Sequence, residues 1–197
     1  MKKSYWHLWN KFLAHKYGLE ITDKILLESK NTYLKLLKND TWKDNPNKKR
    51  LINMIFPILA VYLAMKNNHL TQENALADSE DLMREIFFRT QLSGIRFLNR
   101  ILADPFPVIK PALRLMMHFS DLPAGQEIKQ DDKKCFSVYV YQCYIHNTLK
   151  ELGAPELTPA FCATDDWLSA AMPKIQWQRT QTLGRGGEMC DFCWRRK

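Results

Sequence analysis

The chain has 197 residues, 46% apolar and 12% aromatic, which is enough for a packed core and argues against a disordered segment. Net charge is +8, from 29 Lys and Arg against 21 Asp and Glu; twelve basic and five acidic residues put +7 of it in residues 1–50. Those lysines are scattered through amphipathic stretches and form no arm, so they read as solvated helix faces and argue against nucleic-acid binding. The length predicts one domain, 1–197, with a helical part over 1–119 and a strand-containing part over 135–197.

Residues 4–17 set Tyr5, Trp6, Trp9, Phe12 and Leu13 on one helical face. Such a helix covers a core or lies on a membrane surface. Lys2 and Lys3 imitate a secretory leader, but His7, Asn10, Lys11 and His15 break the apolar stretch that should follow. Five cysteines, an odd number, then point to the reducing cytoplasm, with thiols free, catalytic or metal-bound. Thr22 or Asp23 is the expected cap of a second helix with Ile25, Leu26, Tyr33, Leu34 and Leu37 inward.

DTWKDNPNKKR, 40–50, reads as a polar loop in which Asn47 caps the next helix. The apolar run 51–65 contains Asn53 and Pro57 and is too short to cross a bilayer, so it predicts a buried helix kinked near Pro57. Thr71 opens another helix. Ser79 to Ala103 continues helically, with Leu82, Met83, Ile86, Phe87, Leu98 and Ile101 as its apolar stripe. ADPFP, 103–107, is a stop, and Lys110 to Phe119 is a short helix on which His118 reads as structural.

SDLPAGQEIKQDDKK, 120–134, reads as a long polar loop. FSVYVYQC, 136–143, is aromatic and β-branched, hence a strand closed by Cys143. IHNTLKELG is helical up to Gly153, and AFCATDDWLSAAM forms a further helix. KIQWQRTQTL alternates as a strand, GRGG turns, and EMCDFCWR returns as its hairpin partner. The expected fold class is α+β: a helical N-terminal half followed by a small antiparallel sheet with crossing helices.

On its helix Cys162 shares a face with Asp165 and Asp166, at i+3 and i+4. A thiol beside a carboxylate serves as a nucleophile with its base, or as two metal ligands; a core cysteine beside a solvated acidic patch has the same spacing. Cys143 and His146, at i and i+3, have zinc-ligand types at a spacing that is common by chance. Cys190 and Cys193 form a CxxC, but residues three apart on a strand face opposite ways and cannot clasp one ion. GRGG precedes no helix and matches neither a phosphate loop nor a dinucleotide fingerprint. Its backbone N–H groups and Arg185 could still receive a carboxylate.

Taken in order, Cys143, ELG-x-PEL (Glu151 to Gly153, Pro155 to Leu157), Phe161-Cys162 with Asp165, and Arg179, Thr182, Leu183, Gly186, Gly187 and Cys190 to Phe192 form one pattern. It resembles the L-2-amino-thiazoline-4-carboxylic acid hydrolase family, closely from Cys143 to Phe192 and more loosely over 57–76. The resemblance implies a hydrolase that adds water to the ring carbon between N and S of a cyclic isothiourea. The C–S bond then breaks to give N-carbamoyl-L-cysteine. It also implies roles: Cys162 as nucleophile or thiol ligand, Asp165 as base or orienter, and Cys190 completing the catalytic pocket. Glu156 or Asp191 would hold the amidinium and Arg179 the substrate carboxylate, with Thr182 and Gly187 also binding substrate. A metal variant uses Cys143, Cys162, Asp165 and Cys190 around zinc or another divalent ion. The expected partner is a small carboxylated substrate, with no nucleic acid, no membrane association and a homodimer left open. A shorter resemblance of the C-terminal G-x-x-C-x-F to vinyl-reductase-type ligand-binding domains leaves a non-enzymatic small-molecule sensor as the alternative. A peripheral membrane or partner-docking protein that uses the Trp-rich first helix is a third reading.

Overall fold

The computed structural model describes residues 3–85, 89–120 and 125–197, with side chains over 6–85, 92–117 and 125–197. Its contacts cluster into two compact units, Met1–Arg89 and Thr90–Lys197. The fold is α+β, with helices throughout and one four-stranded antiparallel sheet in the C-terminal part. No helix among the described residues is long and apolar enough to cross a membrane.

In the first unit α1 (Lys3–Tyr17) buries Trp9 and Leu13. Gly18, at φ 79°, turns the chain into α2 (Leu19–Lys38). Thr22 is therefore not a cap; it lies inside α2 and is fully buried. The inward stripe is Thr22, Ile25, Ser29 and Tyr33, spaced at three and four. Leu34 and Leu37 fall off that stripe and are exposed, at 43% and 39%, contrary to the sequence reading.

A one-turn helix, α3 (Lys48–Arg50), starts at Asn47, whose side chain makes no cap bond. It runs into a π-turn over Leu51–Ile55 and then α4 (Phe56–Asn67). Pro57 sits in the first turn of α4, directly after the π-turn. The irregularity lies just before it, where Phe56 N–H bonds back to Leu51 O. α4 is buried nearly all round and packs chiefly on α2. Thr71 caps α5 (Gln72–Met83) by accepting from Asn74 N–H at 3.2 Å. Leu82 and Met83 are buried; Ile86 and Phe87 lie outside the described residues.

In the second unit α6 (Arg89–Ile101) buries Leu92 and Asn99, while Ile101 is 57% exposed against expectation. α7 (Phe106–Ser120) begins earlier than the sequence suggested, because Asp104 accepts from Phe106 N–H at 3.1 Å and Pro107 suits a first turn. The side chain of His118 lies outside the described residues. The 120–134 stretch is not all loop: Gln126–Asp131 forms β1. It is an edge strand with a mostly exposed, polar surface, which is why it carries no apolar alternation.

β2 (Cys135–Val140), β3 (Ile175–Gln178) and β4 (Cys190–Arg196) complete the sheet in the order β1-β2-β4-β3. Phe106, Ile109, Leu113 and Met117 of α7 pack on Phe136, Val138, Val140, Phe192 and Trp194. Between β2 and β3 come α8 (Tyr144–Glu151) and α9 (Thr158–Ala170). Cys143 does not close the strand, which ends at Val140; it is the N-cap residue of α8.

Candidate functional site

α9 sets Thr158, Cys162, Asp165 and Asp166 along one face, a turn apart. Across from them β3 ends at Gln178, and Arg179 turns back onto the helix. Its guanidinium is sealed, with 5% of the side chain exposed. Nη1 donates to Cys162 O at 3.0 Å and to Asp165 Oδ2 at 3.4 Å; Nη2 donates to Asp166 Oδ2 at 2.7 Å. The guanidinium also lies 5.9 Å from the centre of the Trp177 ring. One cation thus gathers two carboxylates and the helix backbone.

Residues 179–189 do not make the tight hairpin turn that alternation suggested. Asp191 at the start of β4 pins the segment by accepting from Thr180 N–H at 2.9 Å, Gln181 N–H at 2.8 Å and the Thr180 hydroxyl. Partial burial alone would raise the Asp191 pKa, but these donors outweigh it and hold the carboxyl below its ordinary range. A single 3₁₀ turn, Leu183–Arg185, follows. Thr182 O accepts from Arg185 N–H at 3.0 Å and Gly187 N–H at 2.9 Å, and Leu183 O from Gly186 N–H at 3.2 Å. The amides of Arg185, Gly186 and Gly187 thus close the loop on itself and are not free for a carboxylate. Gly186 adopts φ 81°, which favours glycine.

Gly184 is required by proximity. A Cβ there would stand 2.6 Å from Thr158 Cγ2 and 2.9 Å from Cys162 Sγ. This close approach seats the loop on α9 and puts three groups together: the Cys162 thiol and the Thr158 and Thr182 hydroxyls. Both hydroxyls are buried and make no hydrogen bond of ordinary geometry among the described residues. Such orphaned donors are costly and suit a polar solute. Burial first, and the Asp165 charge second, push the Cys162 thiol up. The nearby Thr182 hydroxyl, Arg179 and Arg185 oppose them without reversing the shift, so the resting group is a thiol.

A cavity of about 370 Å³ opens beside this cluster, lined by Asp166, Arg179, Thr180, Gln181, Thr182, Arg185, Gly186 and Gly187, with Cys162 and Asp165 behind its wall and not on it. Arg185 is exposed on its lip, and Asp166 keeps 43% of its side chain open.

The structure draws Cys162, Asp165, Arg179, Thr182 and Gly187 together at one place. Cys190 lies underneath. It is 4% exposed, its Sγ accepts from Leu183 N–H at 3.4 Å, and burial pushes its thiol up to about 12. Cys143 lies near Cys190. Glu156 sits on the turn ahead of α9 and does not line the cavity. His146 Nδ1 is buried with no hydrogen-bond partner among the described residues. No group of three or more His, Cys, Asp or Glu side chains among the described residues is gathered closely enough to hold a metal, so Cys143, Cys162, Asp165 and Cys190 do not fit a metal centre as arranged. Sequence reasoning missed Thr158, although its place one turn before Cys162 on the same helix would have found it.

Residues 50–194 match the family model of L-2-amino-thiazoline-4-carboxylic acid hydrolase, and the chain belongs to that family. No curated protein and no solved structure matches it.

Proposed function

We propose that this member of the L-2-amino-thiazoline-4-carboxylic acid hydrolase family is a hydrolase of cyclic isothioureas or amidines that carry a carboxylate. One observation supports the reading above others: Cys162, Asp165, Arg179 and Thr182, all positions of the family pattern, are gathered together, and Arg179 and Thr182 also line one polar cavity. In this mechanism the Cys162 thiol gives its proton to Asp165 as Sγ bonds to the ring carbon between N and S. The ring C–S bond breaks and the leaving sulfur takes that proton, leaving an isothiouronium on Cys162. Water then adds to the same carbon with Asp165 as base. The C–Sγ bond breaks, Asp165 returns that proton to Cys162, the second proton of the added water passes to solvent, and an N-carbamoyl amino acid leaves.

Asp166, at the cavity wall and half open, faces the substrate amidinium. Arg185 rather than Arg179 takes the carboxylate, because Arg179 is already committed to Asp165, Asp166 and Cys162 O. Arg179 is a positioning residue. Cys190 anchors the loop through Leu183 and keeps its proton.

The test is thiol release from L-2-aminothiazoline-4-carboxylate and from ring analogues that keep the carboxylate. Turnover in the natural chain, lost in Cys162→Ala and lowered roughly 10²–10⁴-fold in Asp165→Asn, is the expected result. Full turnover in Cys162→Ala would remove the covalent step, and no release from any of these substrates by folded protein would end the reading.

A further inference from the structure

The other side of the sheet carries a second pair of thiols that the reaction does not use. In β4 the residues Cys190, Phe192 and Trp194 turn to the core, so Cys193 points the opposite way. In β2 the alternate residues Cys135 and Ser137 share that outer face. The register pairs Ser137 with Cys193 and Cys135 with Arg195, which sets Cys135 and Cys193 on a diagonal of the ladder. Their Sγ atoms are 3.8 Å apart and both cysteines are free. They lie 58 residues apart in sequence, so the ladder alone brings them together.

The two thiols are unequal. Cys135 is 3% exposed, and burial first and Cys193 second push it up to about 11, so it keeps its proton. Cys193 is half-buried, and Arg195 Nε donates to its Sγ at 3.4 Å. Of the two sulfurs Cys193 is the one that a peroxide molecule can reach, and the thiolate is the form of any cysteine that attacks it. The buried neighbour is placed to resolve what forms. A disulfide of about 2.05 Å requires the sulfurs to close a gap of roughly 1.8 Å, within reach of side-chain rotation and slight strand movement.

We propose that Cys193 and Cys135 form a reversible oxidation site for hydrogen peroxide, with Cys193 attacked first and Cys135 resolving. The Cys193 thiolate attacks one peroxide oxygen, the O–O bond breaks, and Cys193 sulfenic acid and hydroxide result. Cys135 then gives its proton to hydroxide, and its sulfur attacks Cys193 Sγ and expels the sulfenic oxygen as a second hydroxide. That ion takes the proton released when Cys193 ionised. Two thiols and one peroxide become one disulfide and two waters; the sulfurs are oxidised and the peroxide is reduced.

The experiment treats the intact natural chain with one equivalent of hydrogen peroxide, then counts thiols after denaturation and maps linked peptides by mass. The expected result is a fall of two from the five free thiols, to three, a single Cys135–Cys193 cross-link, and full recovery with dithiothreitol. Cys135→Ser, which removes the resolving thiol, should instead accumulate a sulfenic acid at Cys193 that dimedone traps. A cross-link mapped to Cys143, Cys162 or Cys190, or direct over-oxidation of Cys193 in the natural chain, would overturn the proposal. Because the readout on the natural chain involves no turnover, it stands or falls independently of the hydrolase reading.

Discussion

Each unit of the molecule holds a carboxylate–cation cluster, and the two are built in opposite senses. In the first unit Asp78 is fully buried and accepts from Lys16 Nζ and Tyr17 Oη, while 43% of the Lys16 side chain remains exposed. In the second unit the cation is sealed, with Arg179 at 5%, while Asp165 and Asp166 keep 25% and 43% of their side chains exposed. A sealed carboxylate with an open lysine offers a solute only an ammonium that water already satisfies, so that cluster fastens helices. A sealed guanidinium fixes the direction of two carboxylates that a solute can still reach, which is how acid–base groups are held ready. Which partner is sealed is what separates a structural pair from a candidate site.

Breaking the sealed carboxylate should have the largest effect on stability. Asp78→Ala removes two hydrogen bonds to a charged acceptor, and a loss of about 3 kcal/mol is expected, because Lys16 and Tyr17 can return to water. Thermal unfolding would show it as a drop of several degrees, with turnover per folded molecule unchanged. If turnover fell while stability held, the contrast between the clusters would be wrong. Arg179→Met should cost less, about 2 kcal/mol, because both carboxylates it abandons reach solvent. It should nonetheless remove most activity, through kcat more than KM, since Asp165 and Asp166 lose their common guide.

The sequence made one cluster far more legible than the other. Cys162, Asp165 and Asp166 fall on one helix, and a helical period brings them together without any tertiary knowledge. Trp9, Leu13, Ile25 and Tyr33 were readable for the same reason. Arg179 stands out through the family pattern, but its contacts with Asp165, Asp166 and Cys162 O are not legible, because alternation along a strand says which way a side chain points and not what it meets. Asp78 went unread because its partners lie 61 and 62 residues away on another helix. The Cys135–Cys193 pair depends on the register between β2 and β4, and the aromatic and β-branched stretch that marks β2 in the sequence begins only at Phe136, one residue past Cys135. The loop from Arg179 to Glu188 looked like a hairpin because its glycines are turn residues; its shape comes from Asp191, Gly184 and the Thr182 carbonyl, none of which announces its partner.

Asp191 provides the gentlest way to separate a site held ready from one that is merely present. Its carboxyl pKa is depressed in the folded chain because, despite partial burial, Thr180 and Gln181 donate to the ionised form. A depressed folded value means that stability is fully present above the unfolded pKa of about 3.9 and is lost as pH falls through the folded value. The natural chain should therefore be more stable than Asp191→Asn at pH 5–7, by up to about 1 kcal/mol, with the lead shrinking once pH falls below that unfolded value and lost as it passes the lowered folded one. The larger consequence is local: amide exchange at Thr180 and Gln181 should quicken in Asp191→Asn, and KM should rise with kcat nearly kept, because the loop that carries Thr182 and Arg185 loses its tether while α9 and Arg179 keep theirs. A variant in which kcat falls instead would mean that Asp191 acts on the reacting atoms and not through the loop.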